Sequence, residues 1–345
     1  MKKSFKKSNG IDLPVNSKYL LPILNKTSHG TKYYESPPNK KLLKRQIGRM
    51  LLQIHQIHSF LNSSGIKFNN KVFLDIGSGN GFIPKLLSIM TDLRLAIATD
   101  PFLDGEHTTS WQHHDRDNEL KKIISYLENI DGKILKYSNY KKYLESEHHR
   151  LEPGDWNFKI KKNINKNFLF KKLYANQLHK IKNNVDIFYA KSFDHISDWK
   201  SVFKSISKIS NKGACIYIKH HSFFSYLGPH RYSSTFIPWG HLLLNDSDYK
   251  KYVDMYHPER KERMENFFFK ELTYPRITIN ELFKIAKEYD FIPHLIINEP
   301  MKNSHKIAKF ISDVPNFWNI IKSNYPDYSS DEVLSGRIHI ILIKI

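Results

Sequence analysis

The sequence holds a single cysteine, Cys215, in 345 residues. That excludes an intramolecular disulfide framework and any zinc site built from several cysteines, and it fits a reducing compartment. Long apolar runs are missing as well. No stretch approaches the roughly 18 uninterrupted apolar residues of a membrane span, and the basic start MKKSFKKSNGIDLPVN lacks the apolar segment of a secretory signal. A cytoplasmic protein with no membrane span is expected. Arginine is scarce: ten of the 54 basic residues are arginine and 44 are lysine, scattered along the whole chain among many Ile and Asn. The formal charge of +20 invites a nucleic-acid partner. Arginine, however, is the better reader of phosphates and guanines, and joint enrichment of Lys, Ile and Asn is what a general compositional bias gives. Solvated surface charge is the favoured reading, and nucleic acid the less favoured partner.

What is present is an ordinary globular composition, 40% hydrophobic and 26% charged, at a length of about two average domains, which excludes global disorder. Leu42, Leu43, Ile47, Met50, Leu51, Ile54, Ile57 and Leu61 recur at helical spacing and predict an amphipathic helix over 39–63, within an N-terminal extension of residues 1–70. From residue 71 the pattern changes. VFLDI (72–76) is a strand ending in a glycine-rich turn, PKLLSIM is helical, and LRLAIATD (93–100) is a second strand. Residues 101–166 interrupt the rhythm as a first insertion, with one helix over 118–129. NFLFKKLYA (167–175) and VDIFYA (185–190) resume the strands. Trp199, Val202, Phe203, Ile206 and Ile209 form a helical stripe, NKG (211–213) a turn, and ACIYIKH (214–220) the fifth strand. A second insertion, 221–276, is dense in aromatic, Gly, Pro and His residues and reads as a lid over an acceptor. Thr278 with Glu281 suits a capping box on the helix ELFKIAKEY, and FIPHLIIN and IHIILIKI are the last strands. The expected fold is α/β: a Rossmann-like, doubly wound, mostly parallel seven-stranded sheet with helices on both faces, spanning 71–345 with its two insertions.

The turn Asp75-Ile76-Gly77-Ser78-Gly79-Asn80-Gly81 lies between strand and helix, where glycines let a ligand approach the backbone and the helix N-terminus offers free N–H groups. A nucleotide-like ligand suits it. The dinucleotide fingerprint needs its third glycine at 82, which is Phe82, and the phosphate loop G-x-x-x-x-G-K-[ST] is absent, so NAD, FAD and nucleoside triphosphates recede. Asp100 ends the second strand, 19 residues beyond Gly81, where an acid can accept from both hydroxyls of a ribose.

At these residues the chain resembles the class I S-adenosylmethionine-dependent methyltransferases. VFLDIGSGNG looks like their first motif, Asp100 like their ribose-binding acid, FDHI (193–196) like the segment after strand four, and ISNKGACIYI (209–218) like the turn and fifth strand. The resemblance covers about 72–100, 167–220 and 277–345. It implies S-adenosyl-L-methionine as cofactor, with Asp75, Gly77, Ser78, Gly79, Asn80 and Gly81 at its methionine half and Asp100 on the ribose. Adenine contacts then fall to the residues after strand three, where Tyr174 or Asn176 takes the place of the family's acid. Asn176, with Ala175, is favoured because its amide can pair with the adenine amino group. Asp194 stands where the family has Glu, and Lys191 and Ser192 face the same crevice.

Methyl transfer asks the protein to align an acceptor and exclude water, and a hydroxyl acceptor also wants a base. His220 and His221 directly follow the fifth strand, and His230, with Arg231 and His241, lies in the second insertion, so His220, His221 and His230 are the candidate catalytic residues. No metal site is assigned. His107, His113, His114 and Asp115 have ligand chemistry, but no helical i, i+4 pair or Cys partner supports them. The family's amino-group methyltransferases for adenine or glutamine resemble one another in an Asn/Asp-Pro-Pro-Tyr/Phe segment after strand four, where this chain reads Ala190-Lys191-Ser192-Phe193, and Cys215 sits inside a strand, so neither that subclass nor cytosine C5 chemistry is favoured. A small-molecule or glycan hydroxyl is expected. An RNA methyltransferase and a non-catalytic cofactor-binding protein are the alternatives, and the sequence leaves the oligomeric state open.

Overall fold

The computed structural model describes residues 4–20, 40–101, 125, 129, 134–144, 151, 153–160, 167–301 and 303–345. His107, His113, His114 and Asp115, and all of the helix expected over 118–129 except residues 125 and 129, lie outside the described residues.

β3 (Val72–Ile76) is buried at every position, as befits a strand with neighbours on both edges and helices on both faces. It follows a short antiparallel hairpin, β1 (Ser4–Lys6) with β2 (Asp12–Pro14), and the helix α1 (Lys40–Ser63). After β3 come α2 (Phe82–Met90), β4 (Leu95–Thr99), β5 (Phe168–Lys171) and β6 (Val185–Ala190). Then follow α3 (Trp199–Ile209), capped by Asp198, and β7 (Ser210–His220). The second insertion contributes α4 (Gly240–Leu243), α5 (Asp246–Tyr256) and α6 (Lys261–Asn266). The chain closes with α7 (Ile279–Glu288), β8 (Phe291–Glu299), α8 (Ser304–Ala308), α9 (Phe317–Asn324), α10 (Ser330–Leu334) and β9 (Arg337–Lys344).

The sheet has seven strands in the order β5-β4-β3-β6-β7-β9-β8, and only β9 runs against its neighbours. The doubly wound, mostly parallel sheet expected from the strand–helix alternation is present. Side-chain alternation divides it into two cores. Phe73, Ile187, Tyr189, Cys215 and Tyr217 face α1 and α2 on one side. Leu74, Phe188, Ile216 and Ile218 face α3 and α7 on the other. The capping box of α7 is formed, Glu281 N–H donating to Thr278 Oγ1 at 3.2 Å and Thr278 N–H to Glu281 Oε2 at 2.7 Å.

Local readings needed adjustment in three places. The run expected as a strand over 167–175 pairs only as far as Lys171 and then turns into a 3₁₀ segment, Ala175–Lys180, whose Leu178 is buried with the α3 stripe. The residues Asn211-Lys212-Gly213 do not precede the fifth strand but bulge within it: Val185 pairs with Ser210 and Ile187 with Cys215. Residues 221–276 form a packed body. Phe223, Trp239, Tyr249, Tyr252, Met264 and Phe268 build a third core together with Phe5, Leu13 and Val15 of the hairpin and Phe317, Ile320 and Val333 near the end of the chain. An aromatic-rich stretch reads alike as cover or as core until its partners, distant in sequence, are known.

Candidate functional site

The chain leaves β3 in one direction to lay down β4 and β5, then crosses back to place β6 on the other side. Open α/β sheets bind ligands at this switch point, beyond the carboxyl ends of the strands. Gly77, Gly79 and Gly81 occupy it with φ of 66°, 56° and 73°, a backbone region that side-chain-bearing residues enter at a cost. Two of them also face close neighbours. A Cβ on Gly77 would sit 2.0 Å from Ser192 Oγ, and one on Gly81 would sit 3.1 Å from both Ala98 Cβ and Phe170 Cδ2. Ser192 in turn donates its hydroxyl toward the Ile76 and Gly77 carbonyls, at 3.2 and 3.3 Å. The ends of β3 and β6 are therefore stitched together at the turn.

Asp100 holds the other side. Its Oδ2 accepts from the Gly79 N–H at 2.8 Å, while Ser78 N–H donates to the Thr99 carbonyl at 2.9 Å. Asp75 and Asp100 are both buried, at 3% and 5% exposure. Burial and the neighbouring Asp100 push the Asp75 carboxyl well above the usual carboxylate range, and Lys191 only partly opposes them. Ala175 and Asn176 open the 3₁₀ segment after β5, with Asn176 exposed and Tyr174 46% exposed.

A second cluster lies beyond β6 and β7. Asp194 belongs to a single 3₁₀ turn, Phe193–His195, directly after the Lys191-Ser192 corner. That turn is pinned from two sides: Trp199 Nε1–H donates to the Phe193 carbonyl at 3.1 Å, and Thr273 donates its N–H to the Asp194 carbonyl at 2.8 Å and its hydroxyl to the carbonyls of Phe193 and Ile196. Three imidazoles converge on the one oxygen Asp194 Oδ2: His230 Nε2 at 3.0 Å, His221 Nδ1 at 3.6 Å and His195 Nε2 at 3.8 Å. Burial opposes ionisation of this carboxyl, but His195, His230 and His221 outweigh it and hold it far below the usual range. Asp194 is thus a carboxylate. His230 reaches it from a left-handed backbone, φ 48°, in a residue other than glycine, a strained conformation of the kind that persists where the surroundings over-determine it.

The structure thus gathers His221 and His230 of the three candidate catalytic histidines and sets His220 apart. His220 is 2% exposed, its ring in a T-shaped contact with Trp199, centroids 5.6 Å apart, and neither ring nitrogen meets a hydrogen-bond partner among the described residues. Burial pushes its pKa down to about 4. His241 is also buried, Nε2 at 3.1 Å from the Ser225 carbonyl, with its pKa pushed down to about 3 by burial. Arg231 packs over the Tyr232 ring at 4.9 Å. Nothing in the sequence alone marks Asp194 or His195 as the centre of a cluster. The Asp-His pair inside FDHI was the only local signal for either.

No family model matches the chain, and no curated protein matches it. Among solved structures it is similar to the magnesium protoporphyrin IX methyltransferase of Synechocystis PCC 6803 with bound S-adenosylhomocysteine, at 8% identity over 91% of each chain and a TM-score of 0.41. It is also similar to an S-adenosylmethionine-dependent methyltransferase of Mesorhizobium loti, at 8% identity over 83% of this chain and 96% of that one, TM-score 0.40. Likenesses this distant carry no argument about activity. The functional reading rests on the residues of the crevice.

Proposed function

We propose that this chain is an S-adenosylmethionine-dependent methyltransferase acting on a hydroxyl of a small polar molecule or glycan. The observation that carries the reading is the turn itself: three left-handed glycines at the switch point of the sheet, flanked by the buried acids Asp75 and Asp100. The residues fit the cofactor. The left-handed glycines let a ligand approach the backbone of the turn, and Asp75 and Asp100 suit a ligand that carries an ammonium, a sulfonium and ribose hydroxyls. Gly77 to Gly81 and Asp75 would hold the methionine half, Asp100 the ribose, and Ala175 with Asn176 the adenine, while Lys191 and Ser192 line the corner between cofactor and acceptor.

When bound, S-adenosylmethionine supplies an activated methyl group to a nucleophile. The protein's part is alignment and desolvation. His230, hydrogen-bonded to the Asp194 carboxylate, and the neighbouring His221 would receive the acceptor hydroxyl.

Calorimetric titration of S-adenosylmethionine and S-adenosylhomocysteine into the chain and into Asp100→Ala, at two salt concentrations, tests the cofactor site. Micromolar binding lost in the variant is expected. An intact chain that binds neither compound refutes the proposal. Steep salt dependence of binding to RNA, with labelling of RNA by the radioactive cofactor, would move the acceptor from a small molecule to nucleic acid.

A further inference from the structure

We propose that Asp194, His221 and His230 form a binding site for one divalent transition-metal ion of the zinc class. One ligand atom from each residue lies within 4.8 Å of the others, and Asp194 and His221 are buried. The three come from separate elements: the turn after β6, the end of β7, and the loop before α4.

The spacing of the cluster suits a shared ion. Only His230 Nε2, at 3.0 Å, is within hydrogen-bond reach of Asp194 Oδ2. His221 Nδ1 at 3.6 Å is too far for a hydrogen bond but close to the separation of about 3 to 3.5 Å that neighbouring ligands adopt around an ion bound at about 2.0 to 2.2 Å. His195 stands beside the three without joining them. Its Nδ1 lies 2.9 Å from the Glu271 carbonyl and its Nε2 3.8 Å from Asp194 Oδ2. Thr273 and Trp199 fix the turn that bears Asp194, and the left-handed His230 backbone aims the third ligand. Preorganisation of this kind is what a metal site needs from its second layer.

Two imidazoles and a carboxylate select zinc, iron(II), cobalt(II) or manganese(II) over calcium and magnesium, which prefer sets of oxygen ligands. Three protein ligands leave room for water or an acceptor oxygen. Coordination of an acceptor hydroxyl there rests on the methyltransferase reading. The metal site itself does not, since it stands on the side chains alone.

The test uses the full chain, stripped with a chelator and titrated with Zn(II) against a chromophoric competitor in the absence of any cofactor. Visible absorption of the Co(II) form reports the ligand set. One ion per chain is expected, with affinity falling at least 100-fold in Asp194→Asn and in His230→Ala, each checked for an unchanged far-UV circular dichroism spectrum, and unchanged in the double variant His113→Ala with His114→Ala. Absence of Zn(II) binding by the intact chain overturns the proposal. So does binding that survives in Asp194→Asn and His230→Ala but is lost with His113 and His114, or a preference for Mg(II) over Zn(II). Because the titration contains no S-adenosylmethionine, a chain that binds zinc but not the cofactor refutes the methyltransferase reading alone, and the reverse result refutes the metal site alone.

Discussion

Replacing His220 by Phe separates the two roles this residue could have. His220 follows the fifth strand, beside the candidate catalytic His221, yet its ring nitrogens are buried without a partner among the described residues and its ring packs on Trp199. A buried polar group left unsatisfied costs about 1 to 3 kcal/mol, and a Phe ring keeps the shape and the ring contact without that cost. His220→Phe should therefore stabilise the chain by about 1 to 3 kcal/mol at pH 7.5. The gain should grow in acid. The folded-state pKa is lowered to about 4 from 6.5 by burial, so as pH falls below 6.5 the unfolded chain takes up a proton that the folded chain refuses. Wild-type stability consequently falls as pH drops from about 6.5 to about 4, and between pH 7.5 and pH 5 this single group removes about 2 kcal/mol. The advantage of the variant should widen by that amount. Urea denaturation of both proteins at the two pH values measures it, and methyl transfer should be unchanged within a factor of two. An advantage independent of pH, or loss of turnover with cofactor binding intact, would refute the placement of His220 in the core.

Three further outcomes follow from the same geometry. Gly77→Ala puts a Cβ 2.0 Å from Ser192 Oγ on a backbone with φ 66°, so cofactor affinity should fall at least tenfold, with partial recovery when Ser192→Gly is added; calorimetry that shows equal affinities would contradict the close approach of the turn to β6. The raised Asp75 carboxyl should ionise when a cation binds beside it, so S-adenosylmethionine binding should release a proton and tighten as pH rises, which titration in buffers of different ionisation enthalpy detects and a heat independent of buffer would deny. Glu332 accepts from Ser222 Oγ at 2.8 Å and Ile279 N–H at 3.1 Å, and burial raises its pKa to about 7 from 4.5. Its folded form keeps a proton that the unfolded chain has lost, so this contribution is full below pH 4.5 and disappears as pH rises through about 7; Glu332→Gln should then be more stable than wild type by up to about 3 kcal/mol at pH 8.5 and gain nothing at pH 4.5, as denaturation at both pH values will show.

Local signals in the chain determine a good deal of this protein. The apolar run VFLDI can be read as a strand because burial on both faces demands apolar residues at nearly every position, and the observed strand is Val72–Ile76. The stripe from Trp199 to Ile209 and the Thr278–Glu281 cap work over one or two turns of helix, so they hold whatever the remainder of the fold does. The glycine turn and Asp100 belong to this class too, since their spacing is set by one strand–helix–strand unit. Tertiary structure decided the rest. His220 and His221 are adjacent at the end of a strand, where side chains alternate between faces, and nothing in either residue says which one meets Asp194. That depends on the register of β7 against β6, which carries a bulge between Val185 and Ile187. The aromatic stretch 221–276 has a core only because the hairpin at the start of the chain and α9 and α10 near its end close over it. Contacts between segments far apart in sequence leave no periodicity to read, and the cluster of Asp194, His195, His221 and His230 is made entirely of such contacts apart from one pair of neighbours.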